Sequence, residues 1–413
     1  MKKIIVVGAG PAGMMAAISA AENGAQVLLI EKKEKLGKKL RITGKGRCNI
    51  TSALDGDNFF AGYAGNARFL FSSFNEFSNR DLIAFFEEHN LKCKVERGNR
   101  VFPQTDNADD VITVLYKKLI SLGVCIKKSL PVKEILIGDE GINGIRTDKT
   151  TITGDCVIIA TGGMSYPATG STGDGYDLAK GVGHTIIEPR PGLVPLVAAD
   201  KWVKAIEGLS LKNIRATAYD SHQQKINEDF GEMLFTGYGV SGPIILSMSR
   251  DIGERIRQNI GPVNLVIDLK PALDEEKLDK RVWRDFNRYA NRQLKNALFD
   301  LLPKKLVPVI IQLSGIDSSV ECNRITRPQR RKLVYLCKHL ALSIIATRPI
   351  EEDIVTAGGV NVKEVNPKTM ESKLLKGLFF AGEVLDVDGY TGGFNLQAAF
   401  STGYVAGKYA AQV

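Results

Sequence analysis

The chain begins with a short apolar run that stops at a glycine. Residues 4–7, IIVV, are β-branched throughout, as in a strand buried on both faces. Residues 14–23 are small and mostly apolar and predict a helix that ends before Gly24. Residues 27–30 predict a second buried strand, which Glu31 follows directly. This order of strand, glycine loop, helix, strand and acid predicts a parallel βαβ unit.

Apolar runs and polar loops continue to alternate along the next part of the chain. Helical periodicity covers residues 69–90 and 110–122, and residues 130–153 alternate as in a small antiparallel meander. A third buried strand is predicted over residues 156–161, where it stops at small residues. A short helix at residues 176–180 then follows the polar loop GSTGDG.

The pattern changes at residues 189–192, PRPG, and changes back near the C-terminus. Strand-like runs dominate residues 193–269 and indicate a small barrel or sandwich, whereas residues 273–346 have helical periodicity. Residues 377–383 resemble the opening strand, and a final helix is predicted to end near residue 411. The return of the opening pattern predicts that the middle of the chain is an insert in a Rossmann-type α/β domain.

The glycine loop at residues 8–13 reads GAGPAG and fits G-x-G-x-x-G. In this motif Gly8 permits a tight turn, Gly10 lets a pyrophosphate approach the backbone, and Gly13 lets the helix pack on the strand. The helix N-terminus attracts phosphate, and Glu31 is placed to accept from the two ribose hydroxyls. A plain structural turn is the alternative. The complete set of elements at this spacing favours a bound dinucleotide.

A glycine-rich and strongly basic loop, KKEKLGKKLRITGKGRCN at residues 32–49, follows the predicted ribose acid. Five of its cations lie between Lys38 and Arg47, next to three glycines. Exposed backbone N–H groups beside cations form a concavity that suits a pyrophosphate or an electron-rich ring edge. The alternative is a loop whose charges are only solvated. Cys48 is predicted to be a small residue packed near the ligand, since no neighbour that would activate its thiol is apparent.

The C-terminal segment, in which the opening pattern recurs, supplies a second set of ligand-binding features. Residues 382–383 are Gly-Glu at a predicted strand end, and residues 391–395, TGGFN, open the last helix. Glu383 suits a ribitol hydroxyl. A positive helix end beside a flavin would stabilise its reduced form and raise its reduction potential. An ordinary NAD dehydrogenase does not need such a C-terminal segment beside its cofactor. The two ends of the chain together therefore favour FAD, bound non-covalently.

These patterns predict an α/β fold, namely a discontinuous Rossmann-type FAD-binding domain with an inserted β-barrel plus helical domain. The predicted boundaries are 1–189 and 346–413 for the FAD-binding domain, 190–270 for the β-barrel-like substrate domain, and 271–345 for the basic helical part of the insert.

Composition excludes several other classes of protein. The chain has 413 residues, 44% hydrophobic and 24% charged, which is ordinary for a soluble protein of two or three domains. Its six cysteines are scattered and form no C-x-x-C pair, which argues against a zinc site, a dithiol redox centre and a secreted disulfide framework. We expect no metal site. No run of about eighteen apolar residues predicts a membrane-spanning helix. The cytoplasm is the expected compartment.

The net charge of +9 is concentrated in one part of the chain. Residues 271–344 contain 15 Lys and Arg against 8 Asp and Glu, an excess of +7. A solvated helical face is the favoured explanation of this excess, and a surface for nucleic acid or another acidic partner is the alternative.

Several motifs together resemble the BaiN-like family of NAD(P)/FAD-dependent bacterial oxidoreductases, over essentially the whole chain. The motifs are GAGPAG at 8–13, GKKLRITGKGRCN at 37–49, ATGG at 160–163, TGSTGDGY at 169–176, LFTGYGVSGP at 234–243, TAGGV at 356–360, TMESK at 369–373 and GEVLDVDGYTGGFNLQ at 382–397. Family members often carry a histidine after LFT, where this chain has Gly237. The resemblance implies a discontinuous FAD domain capped by the insert. It also implies reduction of conjugated double bonds in steroid-like molecules or oxidation of small amines.

We therefore expect an FAD-dependent oxidoreductase that transfers hydride between the flavin and a small organic substrate. NAD(P)H-linked reduction of an activated C=C bond is the first hypothesis. NAD(P)H would be a transient donor, because the chain has no second G-x-G-x-x-G between a strand and a helix. The alternatives are a flavin amine oxidase that uses oxygen and a nucleic-acid-associated flavoprotein like those that modify tRNA. A flavin-binding protein without turnover is a further alternative.

Two tyrosines are candidate catalytic residues, because each lies beside a glycine-rich loop and carries a phenolic proton. These are Tyr166 and Tyr390; the alternative is that their rings only stack on the ligand or cap the cleft. The residues predicted to bind the cofactor are Gly8, Gly10, Pro11, Ala12, Gly13, Glu31, Lys32, Lys38, Lys39, Thr43, Gly44, Gly46, Arg47, Cys48, Asn49, Val132, Ala160, Thr161, Gly162, Gly163, Gly382, Glu383, Asp386, Gly392, Gly393, Phe394, Asn395 and Leu396.

Overall fold

The structure, a computed structural model, describes residues 1–139, 141–258 and 261–413. These residues form two compact units. The first unit combines Met1–Gly192 with Ile350–Val413, and the second consists of Leu193–Pro349. The first unit is therefore built from two separate segments of chain, and the second unit from the segment between them.

The first segment of the chain, up to Gly192, alternates strands and helices. Its strands are β1 (Lys3–Val7), β2 (Gln26–Ile30), β3 (Thr51–Ser52), β4 (Tyr63–Gly65), β5 (Cys93–Glu96), β6 (Arg100–Pro103), β7 (Cys125–Lys127), β8 (Val132–Gly138), β9 (Gly141–Thr147), β10 (Thr151–Thr153), β11 (Cys156–Ile159) and β12 (Ile186–Pro191). Its helices are α1 (Pro11–Glu22), α2 (Lys38–Ile42), α3 (Gly56–Phe60), α4 (Phe71–Glu76), α5 (Asn79–Glu88), α6 (Ala108–Ser121) and α7 (Asp174–Gly181).

The two remaining segments complete the fold. The middle segment contains β13 (Leu196–Ala198), β14 (Ser210–Tyr219), β15 (Lys225–Thr236), β16 (Gly239–Ser241), α8 (Pro243–Arg257), β17 (Val263–Asp268), α9 (Glu275–Arg288), α10 (Leu294–Ala297), α11 (Val307–Ser314), α12 (Arg327–Lys338) and β18 (Leu340–Thr347). The last segment contains β19 (Thr356–Val360), β20 (Leu378–Phe380), β21 (Asp388–Gly389) and α13 (Phe394–Ala410).

A five-stranded sheet in the order β20–β11–β1–β2–β7 forms the centre of the first unit. All its pairs are parallel, and Val7 at the end of β1 lies between Ile159 and Ile30. Strands β1, β11 and β20 and most of β2 are apolar, because residues on both faces of a covered parallel sheet are buried, whereas the edge strand β7 is more exposed. Their carboxyl ends meet at one edge, where ligands bind in folds of this type. The residues that follow four of these strands at that edge are Gly8, Glu31, Ala160 and Ala381.

Helix α13 packs closely against α1, and two glycines make this approach possible. A Cβ added to Gly403 would lie 2.3 Å from the carbonyl oxygen of Ala12, and one added to Gly407 would lie 2.1 Å from that of Ala16. Both distances are far below van der Waals contact, so no side chain fits at either position. The last helix of the chain is thereby held against the first, which joins the two segments of this unit.

Two predictions for the first unit meet different outcomes. The antiparallel meander predicted over residues 130–153 is confirmed as the sheet β10–β9–β8. The helical pattern over residues 69–90 forms two helices, with a break after Glu76. Ser78 starts the second helix with a capping box, in which its backbone N–H donates to Asp81 Oδ2 at 2.8 Å. The cap explains the break, because serine there satisfies N–H groups that a continuous helix would satisfy internally.

The second unit contains a closed barrel in the order β13–β16–β15–β14–β17–β18. The helical prediction for residues 273–346 was wrong at its end, because β18 pairs Ile344 with Val263 in the barrel. Leu340, Leu342 and Ile344 are buried and alternate with more exposed residues, which is the period of a strand. Helices α9 to α12 occupy most of the preceding stretch.

The predicted fold class is confirmed: a Rossmann-type α/β domain in two chain segments, with an inserted β-barrel and helices. Within residues 1–139, 141–258 and 261–413, no helix is long and apolar enough to cross a membrane.

Candidate functional site

Gly8 and Gly13 are glycines because of contacts within the protein. Gly8 has a φ of +103°, and a Cβ added there would lie 2.5 Å from the carbonyl oxygen of Ala160. A Cβ on Gly13 would lie 1.8 Å from the carbonyl oxygen of Gly8. The first glycine therefore permits the turn against β11, and the last lets α1 pack on that turn.

Gly10 has a different environment. It precedes α1 with φ −78° and ψ −175°, an extended conformation that any residue adopts. Apart from Gly10 and its two neighbours in the chain, no described atom lies within 4 Å of a Cβ added there. Its position at the start of α1 borders the N–H groups of the first helical turn, which no side chain caps. Contacts within the protein therefore do not require glycine at this position. A phosphate that approaches the helix N-terminus would require it, so the loop fits a dinucleotide.

Glu31 is fixed beside this loop by two backbone donors. The N–H of Ala9 donates to Glu31 Oε2 at 2.9 Å, and that of Lys33 donates to Oε1 at 2.8 Å. The carbonyl oxygen of Ala9 in turn accepts from Gly37 at 2.9 Å. The carboxylate is therefore held at the carboxyl end of β2, in the place where the ribose hydroxyls were predicted. Its contact with a ribose stays a prediction.

Glu31→Gln is expected to weaken FAD binding roughly tenfold or more. The amide keeps the shape of the side chain but loses the charge that strengthens hydrogen bonds from ribose hydroxyls. One end of the amide also becomes a donor and faces a backbone N–H. The matched control is Glu34→Gln, an exposed acid three positions away. FAD titration of both apoproteins, followed by flavin fluorescence, measures the effect; equal dissociation constants would show that Glu31 does not bind the ribose.

An ion pair joins two predicted cofactor residues that are far apart in sequence. Lys39 Nζ lies 2.6 Å from Glu383 Oε2 and donates to Ser165 Oγ at 2.6 Å. The N–H of Thr356 donates to Glu383 Oε1 at 2.9 Å. The cluster ties the loops after β11 and β20 to α2 and β19. Sequence reasoning missed Ser165 and Thr356, because nothing local in the sequence connects four residues from four chain segments.

Two buried oxygen atoms of the predicted site have no hydrogen-bond partner within the described part of the chain. They are Thr161 Oγ1, directly after β11, and Asn49 Oδ1, after the basic loop. Such atoms are rare in native proteins unless a bound group or water satisfies them. Together with the open space at Gly10, they fit a site that is completed by a polar cofactor.

Carboxylates neutralise much of the charge of the basic loop. Arg47 pairs with Glu96 and donates through Nε to Asp106 Oδ1 at 2.8 Å, which raises the pKa of Arg47 and lowers those of both acids. Arg41 pairs with Asp109. Three of the five cations, counting Lys39, are thus paired, so the loop carries less free positive charge than the sequence indicated.

Cys48 is fully buried after this loop and has a φ of +61°. Burial raises the pKa of its thiol to about 12. The thiol is therefore protonated at neutral pH, which argues against a thiolate nucleophile and agrees with a packing role.

The glycine pair before α13 is required by protein contacts. Gly392 and Gly393 have φ values of +138° and +98°. A Cβ on Gly393 would lie 2.4 Å from the backbone of Thr51, and one on Gly392 would lie 2.7 Å from the ring of Phe394. A bulkier residue at Gly393 would thus displace β3 whether or not a flavin is bound. The predicted contact of this helix end with FAD stays a prediction, and substituting Gly393 cannot test it alone.

The other predicted site residues lie on the same or adjoining loops. Asp386 Oδ2 accepts from Asn66 Nδ2 at 2.9 Å, and Asn395 Oδ1 accepts from the N–H of Gly389 at 2.8 Å. Val132 is buried at the start of β8, two residues after Leu130, whose N–H donates to the carbonyl of Glu31. Of the remaining predicted cofactor residues, six lie at the start of α1 or after β2, β11 and β20: Pro11, Ala12, Lys32, Gly162, Gly163 and Gly382. Four more lie in or after α2, namely Lys38, Thr43, Gly44 and Gly46, and Leu396 lies in the first turn of α13.

The two candidate proton donors lie in loops of the same unit. Tyr166 directly follows Ser165 of the ion-pair cluster and has φ +53° and ψ +61°. Partial burial, with Asp353 and Glu352 nearby, raises the pKa of its phenol. Tyr390 precedes α13, and its backbone N–H donates to Gly62 at 2.8 Å. A raised pKa keeps the phenol of Tyr166 protonated at neutral pH, as a proton donor requires.

Comparisons with known proteins agree with this architecture. The family model described as HI0933-like protein Rossmann domain matches residues 2–409. The chain is 33% identical to a 3-dehydro-bile acid delta(4,6)-reductase of Clostridium scindens over 100% of both chains. It is 30% identical to a ribosomal RNA dihydrouridine synthase of Haemophilus influenzae, over 97% of this chain and 96% of that protein. A solved 3-ketosteroid delta1-dehydrogenase of Sterolibacterium denitrificans, 13% identical, has the same fold with a TM-score of 0.55 over 100% of both chains.

Proposed function

The chain belongs to the family of HI0933-like Rossmann-domain proteins, and we propose that it reduces a C=C bond conjugated with a carbonyl group, with NAD(P)H as the electron donor. The predicted resemblance to BaiN-like oxidoreductases is confirmed, as is the enzyme class, an FAD-dependent oxidoreductase. The substrate and the electron donor are the parts that we propose.

One observation supports the reaction class: two relatives that match almost the whole chain have names that describe the same transformation. The first is a delta(4,6)-reductase of a 3-dehydro bile acid. Its substrate is an enone, because the 3-dehydro group is a ketone and the delta(4) double bond is conjugated with it. The second makes dihydrouridine, which is uridine with two hydrogens added to a ring double bond conjugated with a carbonyl. Two such different substrates share an activated C=C bond.

The protein groups described above suit this chemistry. FAD, when bound, supplies the hydride that a conjugated C=C bond accepts at its β-carbon. Gly10 and the start of α1 would hold the pyrophosphate, and Glu31 would hold the ribose. The ion pair of Lys39 with Glu383 fixes the loops that would surround the flavin.

Reduction also requires a proton at the carbon next to the carbonyl group. Tyr166 and Tyr390 are the proposed donors. Tyr166 is favoured, because its loop is tied to the ion-pair cluster through Ser165 and its phenol stays protonated. A raised pKa makes a phenol a weaker acid in water. The developing enolate is basic enough to take its proton when the two are in contact.

Anaerobic spectroscopy of the FAD-loaded protein tests the reaction class. NADH or NADPH is expected to bleach the flavin, and testosterone, a conjugated enone, or a uracil-containing RNA is expected to restore its colour. Dihydrotestosterone, which lacks the double bond, is the matched control and should leave the flavin reduced. Peroxide release from a small amine in air, with no reoxidation by either conjugated compound, would instead identify an amine oxidase.

A further inference from the structure

We propose that His184 is a positioning residue of the cofactor site and that it holds this site only in its neutral form, so that acidification weakens the binding of FAD. This role belongs to the first unit alone and does not depend on which substrate is reduced. The chain has four histidines, all among the described residues, and His184 is the only buried one, with 0% of its side chain exposed.

Both nitrogen atoms of the His184 ring are hydrogen-bonded to side chains from a distant part of the chain. Nδ1 lies 3.1 Å from Glu364 Oε2, and Nε2 lies 2.8 Å from Ser372 Oγ. The Ser372 oxygen also accepts from the backbone N–H groups of Leu374 and Leu375, at 3.0 Å each. A hydroxyl has two acceptor sites and one donor site, so these two backbone bonds leave its proton for Nε2. The ring is therefore neutral, and its own proton is on Nδ1, where it is donated to Glu364.

Proton uptake by this ring would break one of these bonds. A protonated ring donates from both nitrogens, and Nε2–H would face a serine oxygen whose acceptor sites are already taken by Leu374 and Leu375. Either one of those N–H groups loses its partner or the ring leaves Ser372, and both outcomes cost a hydrogen bond. Burial also disfavours the charged ring and lowers the pKa of His184 below its ordinary value, although Glu364 acts in the opposite direction. The surrounding structure therefore stabilises the neutral ring.

Glu364 is the charged group that contacts the ring. Its Oε2 also accepts from the N–H of Thr185 at 2.9 Å. Although burial opposes it, these hydrogen bonds hold the pKa of Glu364 below its ordinary value, so the carboxylate stays charged where His184 titrates. Nearby in the chain, Glu371 accepts from the N–H of Gly377 at 3.0 Å. The other charged residues within four positions of the three bonded side chains are exposed: Lys180, Glu188, Lys363, Lys368, Lys373 and Lys376.

On one side the network holds β20, which leads into the predicted cofactor site. The imidazole ring packs edge-on against the ring of Phe380 in β20, with 4.8 Å between the ring centres. The backbone N–H of Ser372 donates to the carbonyl of Leu378 at the start of the same strand, at 2.7 Å. Three residues after Phe380 comes Glu383, which forms the ion pair with Lys39. A change at the histidine therefore reaches the strand that positions this ion pair.

On the other side the network holds α7. His184 follows the end of this helix, and its backbone N–H donates to the carbonyl of Ala179 at 3.0 Å. Asp174, the first residue of α7, pairs with Lys32 at 2.6 Å, directly after Glu31. The neutral ring thus connects α7 with β20, and these two elements adjoin Glu31 and Glu383, the carboxylates that were predicted to bind FAD.

The direction of the pH effect follows from the lowered pKa. His184 binds a proton less readily in the folded unit than in an unfolded chain. Its contribution to stability is therefore complete above about pH 6.5 and is lost as the pH falls through its lower folded-state pKa. Because FAD binding would need the neutral ring, bound FAD must in turn lower the pKa of His184 by the same free energy.

FAD titration of the apoprotein between about pH 7.5 and pH 5.5, the range in which histidine titrates, tests this role. The dissociation constant, measured by flavin fluorescence, should rise on acidification by at most about tenfold per pH unit, because one proton is taken up. His184→Gln keeps a hydrogen-bonding side chain that does not titrate, so its affinity for FAD should not change with pH. The control is His222→Gln, an exposed histidine of the second unit, which should behave as the original protein does. Equal pH dependence in His184→Gln and the original protein would overturn the proposal.

Glu364→Gln separates this role from a general loss of stability. Its amide oxygen can still accept from His184 and Thr185, but the negative charge that favours the protonated ring is lost. The loss of FAD on acidification should therefore occur at lower pH than in the original protein. A variant that is only less stable would lose FAD at higher pH, and that result would contradict the proposal even if His184→Gln failed to fold.

NMR spectroscopy of the full chain with isotope-labelled histidine rings measures the state of His184 directly, and His184→Gln identifies its signal. At neutral pH the ring should carry its proton on Nδ1, and its pKa should be lower with FAD than without. A proton on Nε2, or a pKa that FAD leaves unchanged, would refute the role of His184. These measurements need no turnover, so their outcome is independent of the reductase assignment.

Discussion

Gly10→Val is expected to give a protein that folds normally and purifies without FAD. The extended conformation of Gly10 accepts valine, and no described atom lies within 4 Å of the new Cβ, so the fold has no reason to change. The branched side chain would occupy the space through which a pyrophosphate reaches the start of α1. The absorbance ratio of flavin to protein after purification, with circular dichroism to verify the fold, measures the outcome.

The control for this variant is Gly181→Val. Gly181 also has open space around a new Cβ, but it lies at the last residue of α7 and is exposed. It should keep full FAD content. A yellow Gly10→Val protein with one FAD per chain would place the pyrophosphate elsewhere and refute the assignment of this loop.

Gly403→Ala is expected to lower the free energy of unfolding of the first unit by about 1–3 kcal/mol or more. The added methyl group would lie 2.3 Å from the carbonyl oxygen of Ala12, so α13 must move away from α1. This loss outweighs the gain of roughly 0.5–1 kcal/mol that alanine brings over glycine inside a helix. Urea denaturation followed by circular dichroism measures the change.

Gly181→Ala is the control for helix propensity, since its new Cβ meets no described atom. It should be neutral or slightly stabilising. If Gly403→Ala were as stable as this control, the close packing of the first and last helices would not be a major contribution to stability.

The opening βαβ unit could be predicted from sequence because its information is local. Strand, glycines, helix and acid follow each other within about thirty residues, and each type of residue has one physical reason to be there. The structure separates these reasons: Gly8 and Gly13 are required by contacts within the protein, whereas Gly10 is not. The three glycines of the motif therefore do not all have the same structural role.

The features that could not be predicted depend on contacts between distant segments. The ion pair of Lys39 with Glu383 joins residues 344 positions apart, and no periodicity links them. The loss of free charge in the basic loop has the same origin, since the partners of Arg47 come from a separate hairpin and turn. Strand β18 was missed for another reason: it directly follows α12, and its alternation is short.

At Gly393 the position of the helix start was predicted correctly, but the predicted reason for having glycine there was incomplete. The sequence indicated a helix start at residues 391–395, and α13 begins at Phe394. The proposed reason for glycine was close approach of a flavin. The structure provides another, because Thr51 leaves no room for a Cβ. Close approach of a flavin and close packing on Thr51 can both require glycine here. Only a variant that leaves the packing on Thr51 undisturbed could distinguish the two reasons.

Product analysis by mass spectrometry tests the central claim most directly. The FAD-loaded protein is incubated without oxygen with NADH and NADPH, testosterone and a uracil-containing RNA in one mixture. Our account predicts that the enone or the uridine of the RNA gains two hydrogen atoms while a matching amount of NADH or NADPH is oxidised. A mixture in which neither the uridine nor the enone gains hydrogen, although the flavin is reduced by the donor, would contradict the assignment of this protein as a reductase of conjugated C=C bonds.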